Sequence, residues 1–284
     1  MLRGQALLES EAVSRSFAAW ILSEKRRRRP SSLYVVGVNG TLGQGKTVFS
    51  QAVVKHLNTL LSPQEGQAFT RSLDDYYLQK AERCSPEFLS LGYNPGAIPN
   101  RGPAGTHDTA RLWKDLEALE MSRPDSVTNL PVFDKPSDDR SPEPYRIQGR
   151  VGVFILEGWF VGAKTDVDPA QAPAGLKRSV ATALRKYKPI FDRLDALWVF
   201  EPPKTLEEIV YQRMEQQETL NKETGTSGMT PEQIRRFVRY FYQDCWEPGL
   251  TSPIPPPGHI SFLTVMDRAH RIIRISPELK SAPS

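Results

Sequence analysis

The stretch Tyr34 to Thr47, YVVGVNGTLGQGKT, decides how the rest of the chain is read. A short apolar run, Leu33 to Val38, breaks into a glycine-rich turn ending in Lys-Thr, and Gly40, Gly45, Lys46 and Thr47 satisfy the spacing Gly, four residues, Gly-Lys-Ser/Thr. Gly40, Gly43 and Gly45, with Gln44 between the last two, let the backbone fold back with its N–H groups inward, forming a nest for phosphate oxygens. The helix that follows adds its positive end. Lys46 is placed to bridge the outer phosphates as a point charge, and the Thr47 hydroxyl to hold a Mg2+ ion bound to them. Context separates this from an ordinary glycine-rich turn. The run before it is strand-like, and Phe49, Val53, Leu57 and Leu60 fall on one face of a helix over Val48 to Leu61.

The chain has 284 residues, 39% of them hydrophobic, enough for a full core, and α/β folds of this size are often one domain. A net charge of +4 forces neither a nucleic-acid nor a membrane partner, and none is expected. The local exception is Lys25 to Arg29, KRRRR, read as a solvated linker ahead of Pro30 in preference to a binding patch. Cys84 and Cys245 are far apart and the four histidines are scattered, which argues against a disulfide framework and against zinc. No apolar run approaches the roughly 18 residues that span a bilayer, and no signal-peptide core is visible, so a soluble, cytoplasmic protein is expected. Oligomeric state leaves no mark that can be read.

Along the chain, Leu7, Leu8, Val13, Phe17, Trp20 and Ile21 give a leading helix on the outside of the sheet. The division expected is residues 1–30 as helix and basic linker, then 31–284 as one nucleotide-binding domain. Phe69 to Leu73 predicts a second strand, ending in Asp74-Asp75-Tyr76-Tyr77 at the crevice where α/β proteins hold ligands. Residues 84–106 are rich in Pro and Gly, and a loop of that length is usually functional or disordered. Asp108 to Leu119 predicts a helix, and Pro131 to Pro144 a second polar loop carrying FDKPSDDR. Val151 to Leu156 is a strand buried on both faces, followed by Glu157-Gly158-Trp159. Val180 to Phe191 reads as a helix and Ala196 to Phe200 as a fourth strand.

Lys204 to Leu220 is a charged helix leading into the polar segment Asn221 to Gly228. Thr230-Pro231-Glu232-Gln233 is a capping box that opens a helix with Ile234, Phe237, Val238, Phe241 and Cys245 on one side. This polar helical pair, about 204–232, sits where a lid is expected. Pro248 to Pro257 leads to two strand-like runs, Ile260 to Met266 and Arg271 to Ile275. Strands alternating with helices after a phosphate loop imply an α/β fold, a three-layer α/β/α sandwich with a mainly parallel sheet.

Phosphoryl transfer needs charge neutralisation, positioning and a base for the acceptor hydroxyl. Lys46 and Mg2+ meet the first need, Asp74 is the candidate base and metal ligand, and Glu157 a metal ligand. The bland readings are a strand-ending turn for Asp74 and Asp75 and a buried turn acid for Glu157.

Taken in order, SLDDYY (72–77), RGPAGTHD (101–108), FDKP (133–136), ILEGWFVG (155–162) and RMEQQE…GMTPEQIRRFV (213–238) resemble the D-glycerate 3-kinase family of the plant and cyanobacterial type. That family lies close to uridine kinase, phosphoribulokinase and bacterial pantothenate kinase, and the resemblance runs from about residue 33 to 275. It implies ATP and Mg2+, a small-molecule acceptor, Asp74 as base and Glu157 as metal holder. Asp75 and Tyr77 then flank the acceptor, and the Arg101 to Asp108 loop resembles the family's acceptor loop. Arg101 suits bidentate capture of a carboxylate, and His107 can donate to a hydroxyl or be a satisfied helix-start residue. Asp108 is equally an N-cap. Lys135 and Arg140 match a basic segment facing phosphates or acceptor, and Arg213 matches a lid arginine or is a solvated one.

The chain departs from the family at Pro103-Ala104, at Pro136 and in the short segment before Arg140, all on the acceptor side. The expected activity is transfer from ATP to a hydroxyl of a small acid, D-glycerate first. The alternatives are a kinase of the same fold acting on a nucleoside, pantothenate or another metabolite, and a nucleotide-binding regulatory module without an acceptor. For a GTPase, Asn221-Lys222-Glu223-Thr224 lacks the required Asp.

Overall fold

Leu33 to Val38 forms the first strand: β1 (Tyr34–Asn39) is buried along its whole length. Its side chains alternate between two cores, Val35 on one side and Tyr34, Val36 and Val38 on the other. A strand covered on both faces has no polar side to show, hence the unbroken apolar run. The computed structural model describes residues 2–94, 96, 99–225, 228–245, 260–266 and 272–277. The expected stretch Pro248 to Pro257, Arg271 and the turn at 267–270 lie outside them.

In chain order the helices are α1 (Leu2–Arg28), α2 (Lys46–Leu60), α3 (Lys80–Arg83), α4 (Pro86–Ser90), α5 (Thr109–Glu120), α6 (Leu176–Leu184), α7 (Lys188–Phe191), α8 (Leu206–Thr224) and α9 (Pro231–Arg239). The further strands are β2 (Gln67–Ser72), β3 (Val127–Leu130), β4 (Phe133–Asp134), β5 (Asp139–Arg140), β6 (Tyr145–Gln148), β7 (Val151–Gly158), β8 (Ala196–Phe200), β9 (Ile260–Met266) and β10 (Ile272–Ser276). The six-stranded sheet runs β10-β9-β8-β1-β7-β2 and is parallel except for the β9–β10 pair. On one face, α1 and α2 bring Phe17, Phe49 and Val53 against Val36, Val153 and Trp198. On the other, α5, α6 and α7 bring Leu112, Val180 and Ile190 against Val35, Phe154 and Leu197. The three-layer α/β/α sandwich expected from the alternation of elements is the observed fold.

The structure corrects several local readings. The basic run is the last turn of α1 and not a linker: Lys25 is 2% exposed, and its ammonium donates to the carbonyls of Arg29, Pro30 and Ser32 at 3.1, 3.4 and 3.0 Å. Arg26 pairs with Glu65, Arg27 and Arg28 with Glu24, and Arg29 with Asp195. Leu60 is 43% exposed because α2 ends there, leaving Phe49, Val53 and Leu57 to carry the buried face. Residues 84–106 contain α4, and the second polar loop folds into the short β4–β5 hairpin. Val180 to Phe191 is broken into α6, a 3-10 turn and α7. The polar segment after Leu220 stays helical to Thr224, where Gly225 (φ 67) caps α8. The capping box at Thr230 forms as read, and a π-helical turn, Tyr240–Cys245, continues α9.

Candidate active site

Parallel pairing sets β1, β7 and β2 level at their carboxyl ends, Val38 and Ser72 both lying opposite Glu157. The crevice outside those ends is where open α/β sheets bind ligands. Thr47 there donates its hydroxyl hydrogen to Glu157 Oε1 at 2.8 Å, and Lys46 Nζ donates to the Thr41 carbonyl at 2.9 Å. Burial lowers the Lys46 pKa, and the carboxylates of Glu157 and Asp74 oppose it. Gln44 shapes the loop from within: Oε1 accepts from Thr41 N at 2.5 Å, while Nε2 donates to the Glu201 carbonyl at 2.8 Å. Gly40 and Gly45 bracket this loop as read, and Gly43 (φ 83) lies under α8. A Cβ on Gly43 would fall 2.7 Å from the Gln212 carbonyl carbon and oxygen.

Asp74 stands in the 3-10 turn Leu73–Tyr76 that ends β2, a turn closed by a capping box between Ser72 and Asp75. Its Oδ1 accepts from the Tyr77 hydroxyl at 2.7 Å, and its Oδ2 lies 3.0 Å from Lys135 Nζ. Burial pushes the Asp74 pKa up, but the Lys135 ammonium and the Tyr77 hydroxyl outweigh it and hold the carboxyl at about 2. Asp75 has its oxygens engaged on the chain itself, pairing with Arg71 at 2.9 Å and accepting from Ser72 N and Phe133 N. Burial raises its pKa against the Arg71 charge.

The loop from Arg101 to Asp108 lies beside this pair. Arg101 Nη1 donates to Asp138 Oδ1 at 2.5 Å and to the Lys135 carbonyl at 3.3 Å, so one arm of its guanidinium is committed within the protein. Asp138, a non-glycine residue at φ 56, also pairs with the fully buried Arg83. Asp108 does both things open to it: Oδ1 caps α5 through Arg111 N at 2.9 Å, and Oδ2 accepts from Arg140 Nη2 at 2.8 Å. Arg140 Nε donates to the Tyr77 carbonyl at 2.9 Å, tying hairpin to loop. His107 is 5% exposed, stacks on Tyr77 at 4.5 Å between centroids, and has Nδ1 2.8 Å from the Tyr187 hydroxyl. Burial lowers its pKa to about 3 against the field of Asp74, so the ring is neutral.

Arg213 on α8 donates from Nη2 to Gln217 Oε1 at 3.0 Å. Its Nη1 is buried with no hydrogen-bond partner among the described residues, and burial lowers its pKa. Lys46, Thr47, Asp74, Glu157, Arg101, His107, Asp108, Lys135 and Arg140 are thus linked around one crevice end, with Asp75 turned to a structural task, while Arg213 is placed only on α8, where its backbone N lies over Gly43 of the phosphate loop. Sequence reasoning missed Asp138, Arg83 and Tyr187, because their partners are brought up only by folding. It also missed Tyr242, whose hydroxyl accepts from Leu42 N in the phosphate loop at 3.2 Å. Asp138 alone carried a local sign, since Asp tolerates positive φ.

A phosphate loop on the central strand, acids at two neighbouring strand ends and helices packed over the loop define a P-loop kinase. The comparisons with known proteins agree, although no family model matches the chain. The chain is similar to the Saccharomyces cerevisiae protein described as probable ATP-dependent kinase TDA10, at 28% identity over 218 residues, 70% of this chain and 72% of that one. Among solved structures it is similar to D-glycerate 3-kinase from Cryptococcus neoformans var. grubii, with TM-score 0.70 and 25% identity over 93% of this chain and 99% of that one. The YGR205w protein, at 20% identity with TM-score 0.65 over 94% and 97%, shares the fold. The chain is therefore an ATP-dependent P-loop kinase, a phosphotransferase with an alcohol group as acceptor. No helix among the described residues is long and apolar enough to cross a membrane.

Proposed function

We propose that the enzyme transfers the γ-phosphoryl group of ATP to a hydroxyl of a small carboxylic acid, D-glycerate before others. The observation that carries this reading is Asp74, an ionised carboxylate at the crevice end of β2, gripped by Tyr77 and Lys135 and in the field of Lys46. Held at about 2, it is a weak base. The loose transition state of phosphoryl transfer asks for little activation of the nucleophile, so its contribution is to orient the acceptor hydroxyl and take the proton as it leaves. Lys46 and the nest from Gly40 to Thr47 hold the phosphates, and Arg213 on the lid helix neutralises charge on the transferred group. Thr47 and Glu157, joined by a 2.8 Å hydrogen bond, with Asp74 at the end of the neighbouring strand, would supply oxygen donors of the kind that suit Mg2+, which is commonly bound by one or two carboxylates and by substrate phosphates. When bound there, Mg2+ supplies neutralising charge at the phosphate oxygens.

The acceptor side is rich in cations, Lys135, Arg101, Arg140 and Arg83, each paired with an aspartate. Lys135 and the arms of Arg101 and Arg140 not used in those pairs suit an anionic acceptor. The similarity to the Cryptococcus D-glycerate 3-kinase supports D-glycerate as the acid. The test is ADP release with ATP and Mg2+ over a panel of D-glycerate, L-glycerate, pantothenate and uridine. D-Glycerate is expected to sustain turnover, and Asp74→Asn to retain ATP binding while losing roughly 100-fold or more in kcat. Turnover of pantothenate or uridine with none of D-glycerate would overturn the acceptor, and an unchanged kcat in Asp74→Asn would remove its role.

A further inference from the structure

We infer that Tyr187 is a positioning residue that fixes His107 as a neutral N–H donor, with the proton on Nε2, for an oxygen of the acceptor. This rests on the reading that the acceptor is a small hydroxy acid beside Asp74. A tyrosine hydroxyl has one hydrogen to give and two lone pairs to fill. Gly105 N donates to the Tyr187 oxygen at 3.1 Å, so one lone pair is taken by a backbone donor. The second contact of that oxygen, 2.8 Å to His107 Nδ1, can run either way.

Counting donors decides between the two. With the proton on Nδ1, the Tyr187 oxygen would accept twice and its own hydrogen would have no acceptor among the described residues; His107 Nε2 would be a second orphan. With the proton on Nε2, Tyr187 donates to Nδ1, its hydrogen is placed and its oxygen accepts from Gly105 N, so that Nε2–H is the single donor left unpaired. That nitrogen is buried without a hydrogen-bond partner among the described residues. A buried donor left without a partner is unusual and asks for an explanation.

Its place supplies one. His107 and Tyr77 face each other as an isolated antiparallel bridge with stacked rings, and the Tyr77 hydroxyl is 2.7 Å from Asp74 Oδ1. The imidazole is thus one ring away from the carboxylate that orients the acceptor. The turn that presents Gly105 N to Tyr187 requires glycine: at φ 103 a side chain there would put its Cβ 2.3 Å from the Tyr93 hydroxyl oxygen. A neutral donor fits a hydroxyl or carboxylate oxygen of the acceptor without adding charge beside Lys135.

The test is a long-range proton–nitrogen correlation spectrum of the full chain labelled with 15N-histidine, the His107 signals being those lost in His107→Gln. The expected result is a single Nε2-protonated tautomer in the native enzyme, replaced by a mixture in Tyr187→Phe. In kinetics, Tyr187→Phe and His107→Asn raise the acceptor KM roughly three- to tenfold, with ATP KM within about twofold. His107→Gln, whose amide nitrogen takes the place of Nε2, is expected to retain more of the acceptor affinity than His107→Asn. A proton on Nδ1 in the native enzyme overturns the inference, as does a tautomer unmoved in Tyr187→Phe. Absence of transfer to any hydroxy acid, with the Nε2 tautomer present, sinks the acceptor assignment instead and leaves the Tyr187 pairing standing.

Discussion

Replacing His107 with glutamine is expected to change how the stability of the fold depends on acidity. In the unfolded chain this histidine takes a proton near 6.5, and in the folded protein burial lowers that to about 3. Between those values the unfolded state binds one more proton, so stability is fully present above pH 6.5 and is lost as pH falls towards 3. Integrating that proton difference gives a loss of about 2 kcal/mol between pH 7 and pH 5. Any folded value below about 4 gives nearly the same number, because the native ring is already neutral at both ends of that range. Other groups act elsewhere or cancel: the Asp74 shift, from 3.8 to about 2, operates below pH 4, and burial raises Asp75 and Asp115 in both proteins alike. The charged and titratable neighbours Asp74, Arg83, Tyr77 and Tyr187 are likewise common to the pair. Urea unfolding of native and His107→Gln enzyme at pH 7 and pH 5 gives four free energies. The native protein should lose about 2 kcal/mol more than the variant across that interval, whatever constant offset the substitution brings. Equal losses in the two proteins would refute a neutral, buried His107.

Two other perturbations probe the frame around the site. Gly43→Ala places a Cβ 2.7 Å from the Gln212 carbonyl at a backbone angle that L residues rarely adopt, so ATP KM should rise severalfold and the thermal midpoint fall; unchanged values of both would show that α8 does not bear on the loop. Lys25→Met keeps the stem but strips three carbonyls of their donor, costing roughly 2 kcal/mol and about 5 °C by calorimetry, with ATP KM unaltered; a midpoint within a degree of native would mean that water replaces the ammonium at no cost.

What could be read from the chain followed the reach of the interactions. The phosphate loop, the apolar run Val151 to Leu156, which β7 extends through Gly158, and the capping box at Thr230 are local patterns that fold as the sequence implies. The hairpins were not legible: β4 and β5 are two residues each, too short for any alternation to register. The acceptor side was legible only as a set of residues, because its wiring joins distant positions: Arg101 to Asp138 across 37 residues and His107 to Tyr187 across 80. Asp75 shows the limit from the other side. Next to Asp74 and alike in chemistry, it is turned to Arg71 by the capping geometry of a single turn.

The leading helix has a consequence for where the catalytic unit begins. Phe17 lies 4.4 Å from Trp198 and 5.6 Å from Phe262 between ring centroids, and Trp20 meets Phe262 edge-on at 4.8 Å. A shortened protein starting at Leu33 would turn those indole and benzyl rings of β8 and β9 out to water, and its thermal midpoint is expected to fall well below that of the full chain. What reads on paper as a preface is a supporting wall, and any attempt to pare this kinase to its smallest active form must keep it.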